Sequence, residues 1–515
     1  MSAIHNILPA LALAADKPHQ VSKYQSALQK LIPVLAIGLF IRAACSILFS
    51  GMIDGEGAEY ARIAENVLSG TGYIGIATPG PQLFFPPLFP FMIAVCSFIT
   101  RDLEAAGRLI SIVMGSLIVF PVYMIARRLY SRKIAIWAAA LSAVHPIFVL
   151  YSTTVYCEPT FITLVLLAMS AAMHVADRPT WFNTFVMGAA YGLAYLVRPE
   201  GFVYLLVAIG VISIAIVFKT GRRRITQFSR LFLAPLVFIA VTAPYIGWLS
   251  YHSGQLRLEN KSLLNMTTAM RIVDGMPLEE AAFGVRSDMT PSGVWNQSNL
   301  AIIQASAPDL RSMMRLFAKK TKSVITDSMG MIAGNPGFGS PAIFALAILG
   351  MFARPWSPRR ALDQFHILVI LSLAIFATYF AYSSADRFYL LFVPFICIWG
   401  SAGVFQFSRW VKRTAPLFDV KPSSLSLVAK LGWAAAFTAI LLPSAVYAGV
   451  AFAVSRSERP FKEISALLRT AQPVRISATF TNVTFHANAD FVWLPYCDEQ
   501  TARQYLQKAV SLTSY

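Results

Sequence analysis

The sequence predicts an all-α polytopic membrane protein of about eleven transmembrane helices, with a small exterior α/β domain at its C-terminal end. Three observations predict it. Of 515 residues, 56% are hydrophobic and only 13% are charged, whereas soluble domains carry roughly 25%. Apolar runs near the ~20-residue length of a bilayer helix recur at 32–50, 106–125, 134–151, 160–175, 183–197, 202–217, 231–249, 339–353, 365–382, 388–405 and 431–454. With those runs as spans, the main basic clusters between them fall on one side, as the positive-inside rule requires. A chain with mean hydropathy +0.59 and so little charge cannot coat several water-soluble domains, which excludes a soluble multidomain enzyme.

The net charge of +18, from 43 Lys+Arg against 25 Asp+Glu, reads as topology rather than nucleic-acid binding. Arg127, Arg128, Arg132 and Lys133 share the side of Lys17, Lys23 and Lys30, as do the clusters around 219–230, 354–360 and 409–430. That side is the cytoplasm. The run 7–15 resembles a signal-peptide core without its basic leader, so 1–31 is read as a cytoplasmic tail, disordered or lying in the interface. Residues 84–99 are apolar but open with Pro86, Pro87 and Pro90, which suits a re-entrant or interfacial helix. Counting them as a span would set the first basic cluster opposite the N-terminal lysines. Residues 32–454 then form a membrane domain with exterior loops at 51–105 and 250–338. The run 339–353 is short and is expected to extend back toward Gly334. In the tail 455–515, Pro460 suits a helix start, Val474 to Phe480 and Phe491 to Leu494 read as strands, and Asp498 caps a last helix. The tail stops at Tyr515 where a further strand is expected, which reads either as a truncated domain or as a minimal one. The five cysteines are scattered, with no metal-ligand spacing.

Ionisable residues are scarce inside the spans. Arg42 is the clearest, and it packs against neighbouring helices or meets a headgroup. Carboxylates gather instead at exterior span ends. The first exterior loop holds Asp54, Glu56, Glu59, Glu65, Asp102 and Glu104 against Arg62 and Arg101. From Ala58 onward its apolar residues repeat at helical spacing, giving an amphipathic surface helix. Asp54 and Glu56 precede it, either as capping acids or as a general base or a holder of metal-bound phosphate. Glu158 before Pro159 is a third acid at the same level. Arg198 beside Glu200 and Arg387 beside Asp386 read either as interfacial ion pairs or as guanidinium forks for a lipid phosphate.

These residues carry a resemblance. The run Asp54-Gly55-Glu56, Glu59-Tyr60-Ala61-Arg62-Ile63-Ala64-Glu65-Asn66, Gly70-Thr71-Gly72-Tyr73 and Pro86-Pro87-Leu88-Phe89-Pro90 resembles the first exterior loop of the GT-C superfamily of membrane glycosyltransferases. It is similar in particular to bacterial enzymes related to protein mannosyltransferases and to the lipid A aminoarabinose transferase. His145-Pro146, Glu158-Pro159, Arg198-Pro199-Glu200-Gly201 and Arg387-Phe388-Tyr389-Leu390 follow in order, so the resemblance covers about 30–410.

The resemblance implies an enzyme that takes a sugar from a polyprenyl-phosphate carrier at the exterior face and gives it to a hydroxyl of a lipid, glycan or protein. Asp54 corresponds to the first-loop acid and Glu158 to the second-loop acid. Some members place a second acid directly beside the first; here Gly55 intervenes before Glu56. Arg198, Arg387, Lys319, Lys320, Lys322 and Tyr60 are the candidates for holding the carrier or its phosphate. The expected chemistry is inverting single displacement, with Asp54 as base and Glu56 or Glu158 orienting it; a divalent metal on these acids is the alternative arrangement. The rival classes are a transporter of lipid-linked sugars, which calls for charge at mid-membrane depth, and an inactive lipid-binding relative.

Overall fold

The computed structural model describes residues 18–49, 51–77, 80–218, 224–297, 309–381, 385–414, 422–468, 475–478 and 481–511. Helices dominate, and they begin where the sequence supplies a reason. Asp102 caps Leu103–Leu117, accepting the Ala105 N–H at 2.6 Å, and this helix runs on through Val119–Leu129. Ser131 caps Arg132–Val144, and Pro159 sits in the first turn of Glu158–Asp177, where a missing N–H costs nothing. Among the described residues, six helices are long and apolar enough to cross a membrane, and the bent pair Arg132–Val144 and Pro146–Ser152 makes a seventh. That pair turns by 51° at His145-Pro146, because Pro146 offers no N–H and keeps His145 extended. The bend brings Tyr151 to the carboxylate of Asp386.

The 84–99 run becomes Leu88–Thr100, an apolar helix of 13 residues and too short to span. The run at 339–353 does not extend back as expected. The chain passes through Gly330–Gly334 and Pro336–Phe338 before Pro341–Met351 begins, since Pro336 and Pro341 each restart the backbone. Pro341–Met351 lies against Phe392–Thr414 through glycines: a Cβ on Gly350 would stand 1.8 Å from the Trp399 carbonyl, and one on Gly403 1.9 Å from that of Leu346. Arg42 is fully buried and donates to the carbonyls of Gly38 at 3.1 Å and Ala143 at 2.6 Å, so its guanidinium serves helix packing.

After the last long helix, Arg459–Leu467 precedes two short parallel strands, Arg475–Ala478 and Asp490–Trp493, joined across Asn482–Ala487. These elements rest on the first loop. Lys462 reaches Glu104 at 2.8 Å, Arg62 donates to Asn488 at 2.9 Å, and Thr481 donates to the Gly55 carbonyl at 2.9 Å. Asp498 caps Glu499–Ser511 through Thr501, as its position suggested.

Candidate active site

The helix after the first span is Gly55–Leu68, one turn longer at its start than the apolar spacing suggested. Asp54 is its N-cap and accepts the Glu56 N–H at 3.3 Å, while Glu56 falls inside the first turn rather than before it. Both carboxylates open into a cavity of about 710 Å³ whose charged lining also includes Glu59, Glu158, Arg198, Glu200, Lys261 and Arg387.

Glu56 is the hub. One of its oxygens accepts from Lys261 Nζ at 2.7 Å and from the Tyr60 hydroxyl at 2.9 Å; the other accepts from Arg387 Nη1 at 2.6 Å. Burial opposes its charge, but Lys261 and Arg387 outweigh burial and hold the carboxyl well below the usual range. Arg198 forms a second hub, donating to Glu158 at 2.9 Å and to Glu200 at 2.8 Å. Its guanidinium also lies over the rings of Phe161 and Phe388, 5.6 and 5.9 Å from their centroids. Lys261 stands 4.7 Å from the Phe85 ring centroid. Such apolar backing limits competition from water and strengthens the remaining attraction.

Asp54 differs from both. It is exposed to water in the cavity yet enclosed by protein, and this enclosure, with the nearby Glu56 charge, raises its pKa; Arg387 and the capped N–H offset part of the rise. No cation lies within ion-pair distance of it among the described residues.

Several expectations are redistributed. Tyr60 is buried behind Glu56 between Phe85 and Phe89, outside the cavity lining. Lys319, Lys320 and Lys322, all on Leu310–Met329, do not line the cavity either. Lys319 faces Asp274 at 3.3 Å, and Lys322 is exposed. Lys320 donates to the carbonyls of Thr378, Tyr379 and Ala381 at 3.1, 3.1 and 2.6 Å, closing the end of Pro358–Ala377, and burial lowers its pKa to about 8. Asp386 makes no ion pair with Arg387. Tyr151 and Tyr447 grip its two oxygens, the latter at 2.5 Å, which fixes the short helix Asp386–Tyr389 from which Arg387 reaches Glu56.

Two lining residues were not singled out in the sequence. Lys261 comes from the long loop, where nine bases gave no reason to prefer it. Glu59 is buried and accepts the N–H groups of Ile76 at 2.8 Å and Ala77 at 2.5 Å. Burial pushes its carboxyl up to about 7, with those N–H groups pulling the other way. Its signal was present in the spacing, three residues after Glu56 on one helix face, and in Gly75, where a Cβ would stand 2.1 Å from the Glu59 carboxylate.

The acids do not converge as a donor set for a divalent cation. Glu56 is engaged by Lys261 and Arg387 and Glu158 by Arg198, and no group of three metal-ligating side chains occurs among the described residues. A metal on these oxygens would have to displace cations already paired there.

Residues 85–248 match the family model of dolichyl-phosphate-mannose-protein mannosyltransferases. A search of curated protein sequences gives no match. Solved structures of like fold include the Archaeoglobus fulgidus oligosaccharyltransferase tethered with an acceptor peptide containing the NVT sequon, at TM-score 0.56 and 13% identity, covering 93% of this chain and 68% of that one. AglB from the same organism, in complex with an inhibitory peptide and a dolichol-phosphate, aligns at 0.56 and 14% identity over 93% of this chain and 68% of its own. ArnT from Cupriavidus metallidurans, bound to undecaprenyl phosphate, aligns at 0.56 and 12% identity over 93% of this chain and 88% of its own. This multi-pass membrane protein therefore shares its fold with the solved oligosaccharyltransferase and ArnT structures, and its residues 85–248 resemble the dolichyl-phosphate-mannose-protein mannosyltransferases whose family model they match.

Proposed function

We propose that the protein moves a sugar from a polyprenyl-phosphate carrier to an acceptor hydroxyl at the exterior face of a bacterial inner membrane, by inverting single displacement. One observation carries the reading: a carboxylate held by no ion pair among the described residues, Asp54, shares a cavity with three cations delivered from distant parts of the chain, Arg198, Lys261 and Arg387. Asp54 takes the proton from the acceptor hydroxyl, the oxygen attacks the anomeric carbon, and the bond from that carbon to the phosphate oxygen breaks with its electron pair on the leaving polyprenyl phosphate. The three cations stabilise that phosphate. A guanidinium carries five N–H donors and an ammonium three. Arg387 and Lys261 each spend one on Glu56, which leaves donors for the phosphate. Glu56 and Glu158 act as positioning residues that aim the cations.

The eleven-span topology with a cytoplasmic N-terminus belongs to the same proposal. It is supported by the sorted basic clusters and places the cavity and the segment 455–515 outside, the latter as a small domain over the site. A neighbour bound to undecaprenyl phosphate supports the carrier class.

The test is Asp54→Asn, assayed for sugar transfer from a synthetic polyprenyl-phosphate sugar with folding checked by thermal unfolding in detergent. A loss of about 10²- to 10⁴-fold is expected. Unchanged transfer by the variant would remove Asp54 as base. Absence of transfer by the unmodified protein across a donor panel would favour a transporter or an inactive lipid-binding relative.

A further inference from the structure

The charged cluster accounts for only part of the cavity. Its exterior lining includes Phe283, Trp295 and Trp493, each half-buried. The Phe283 and Trp493 rings lie 4.8 Å apart between centroids and 32° from parallel, and Trp295 meets Trp493 edge-on at 6.3 Å. With Phe491, 4.7 Å from Trp493 between ring centroids and 83° from parallel, they make an aromatic corner in the cavity wall. Trp493 is fixed in place: its Nε1 donates to the Ala77 carbonyl at 3.1 Å, and the Ala77 N–H is itself held by Glu59. The exposed Glu279 lines the same cavity.

We propose that this aromatic corner is a saccharide subsite that holds a sugar ring of the acceptor, so that the acceptor is a carbohydrate or a glycolipid. This rests on the transferase reading above. A pyranose has an apolar C–H face, which suits the electron-rich face of an aromatic ring, and a rim of hydroxyls, which suits carboxylate acceptors. A hydrocarbon chain would leave Glu279 facing apolar surface, at a cost in desolvation. The donor's own sugar is tethered through its phosphate to the cations. The corner belongs to other segments: the end of Leu278–Phe283, the stretch at Trp295 and the strand Asp490–Trp493. The apolar wall near the cations comes instead from Ala374, Ala377 and Phe380, at the end of a membrane helix. Carrier and acceptor thus have separate walls. The preset rings reduce the ordering cost of binding.

Full-length protein in nanodiscs, with no donor present, is tested by saturation-transfer difference NMR with cellotriose, maltotriose and mannotriose in turn, and with a synthetic serine-containing peptide. Irradiating the aromatic protons is expected to transfer saturation to the ring C–H protons of at least one trisaccharide. Trp493→Ala and Trp295→Ala are each expected to weaken that trisaccharide about tenfold. Trp493→Phe keeps a ring but loses the bond to Ala77, and its affinity is expected to lie nearer the unmodified protein. Equal affinity in all variants, no binding of any trisaccharide, or binding of the peptide in their place would each overturn the proposal. If Trp493→Ala does not fold, Trp295→Ala and Trp493→Phe still decide it. Binding is read without turnover, so a failure here is distinct from a failure of donor cleavage, which would instead remove the transferase reading.

Discussion

The helix Glu158–Asp177 has an ion network at each end, roughly 30 Å apart, and the two are built differently. At the Asp177 end, Arg128 donates to both oxygens of Asp177, at 2.7 and 3.1 Å, and to both oxygens of Asp363, at 2.7 and 2.9 Å. Arg359 adds a further contact to Asp177 at 2.6 Å. Two cations meet two acids, and Arg128 and Asp363 are 3% and 2% exposed. At the Glu158 end, Arg198, Lys261 and Arg387 meet Glu56, Glu158 and Glu200, and these side chains line a cavity that also holds Asp54, unpaired among the described residues. A closed network that satisfies every donor holds helices together. An open one keeps charge available for something not part of the chain.

The contrast predicts that damage at the two ends registers in different measurements. The largest effect is expected from Asp363→Ala. It leaves Arg128 half-paired in a buried setting and should lower unfolding stability in detergent by about 3–5 kcal/mol. Arg387→Ala should instead lower sugar transfer by about a hundredfold with a small change in stability, and Arg387→Lys should recover part of that loss because charge returns without the fork. Equal damage to stability by both alanine variants would erase the distinction.

A smaller effect concerns pH. The Glu59 carboxyl titrates at about 7 in the folded protein against 4.5 for an ordinary Glu. Its folded pKa is raised, so its contribution to stability is complete below pH 4.5 and is lost as pH rises through about 7. Glu59 alone should therefore lower thermal stability by at most about 3 kcal/mol between pH 4.5 and neutral pH, and Glu59→Gln should remove that contribution from the measured pH dependence. The smallest effect is expected at Lys319, whose partner Asp274 is half exposed. Lys319→Ala should change stability by under about 0.5 kcal/mol and leave transfer within about twofold; a large loss of transfer would return the lysines of Leu310–Met329 to the site.

The sequence made the membrane helices legible because the bilayer imposes one length and one polarity on each of them. It made Asp54, Glu56, Glu158, Arg198 and Arg387 legible because scarce charge at span ends stands out against an apolar background. Lys261 was hidden for the opposite reason, lying in a loop where charge is common and only tertiary folding selects one lysine for Glu56. Asp386 misled for a related reason: adjacency in sequence suggested Arg387 as its partner, while the fold brings Tyr151 and Tyr447 from other helices. Pairings between neighbours on a helix can be read from spacing, as with Asp54 and its capped turn. Pairings across the bundle depend on how the helices cross.

The contacts of Thr481 with Gly55 and of Asn488 with Arg62 each join residues 426 positions apart. Contacts of such sequence separation form late, because the entropy of closing the chain must be met before they reward it. Thr481 and Trp493 are therefore expected to reach the acid-bearing turn after the membrane helices have packed, so that a chain still inserting has Asp54 and Glu56 exposed to water where the finished protein has a cavity.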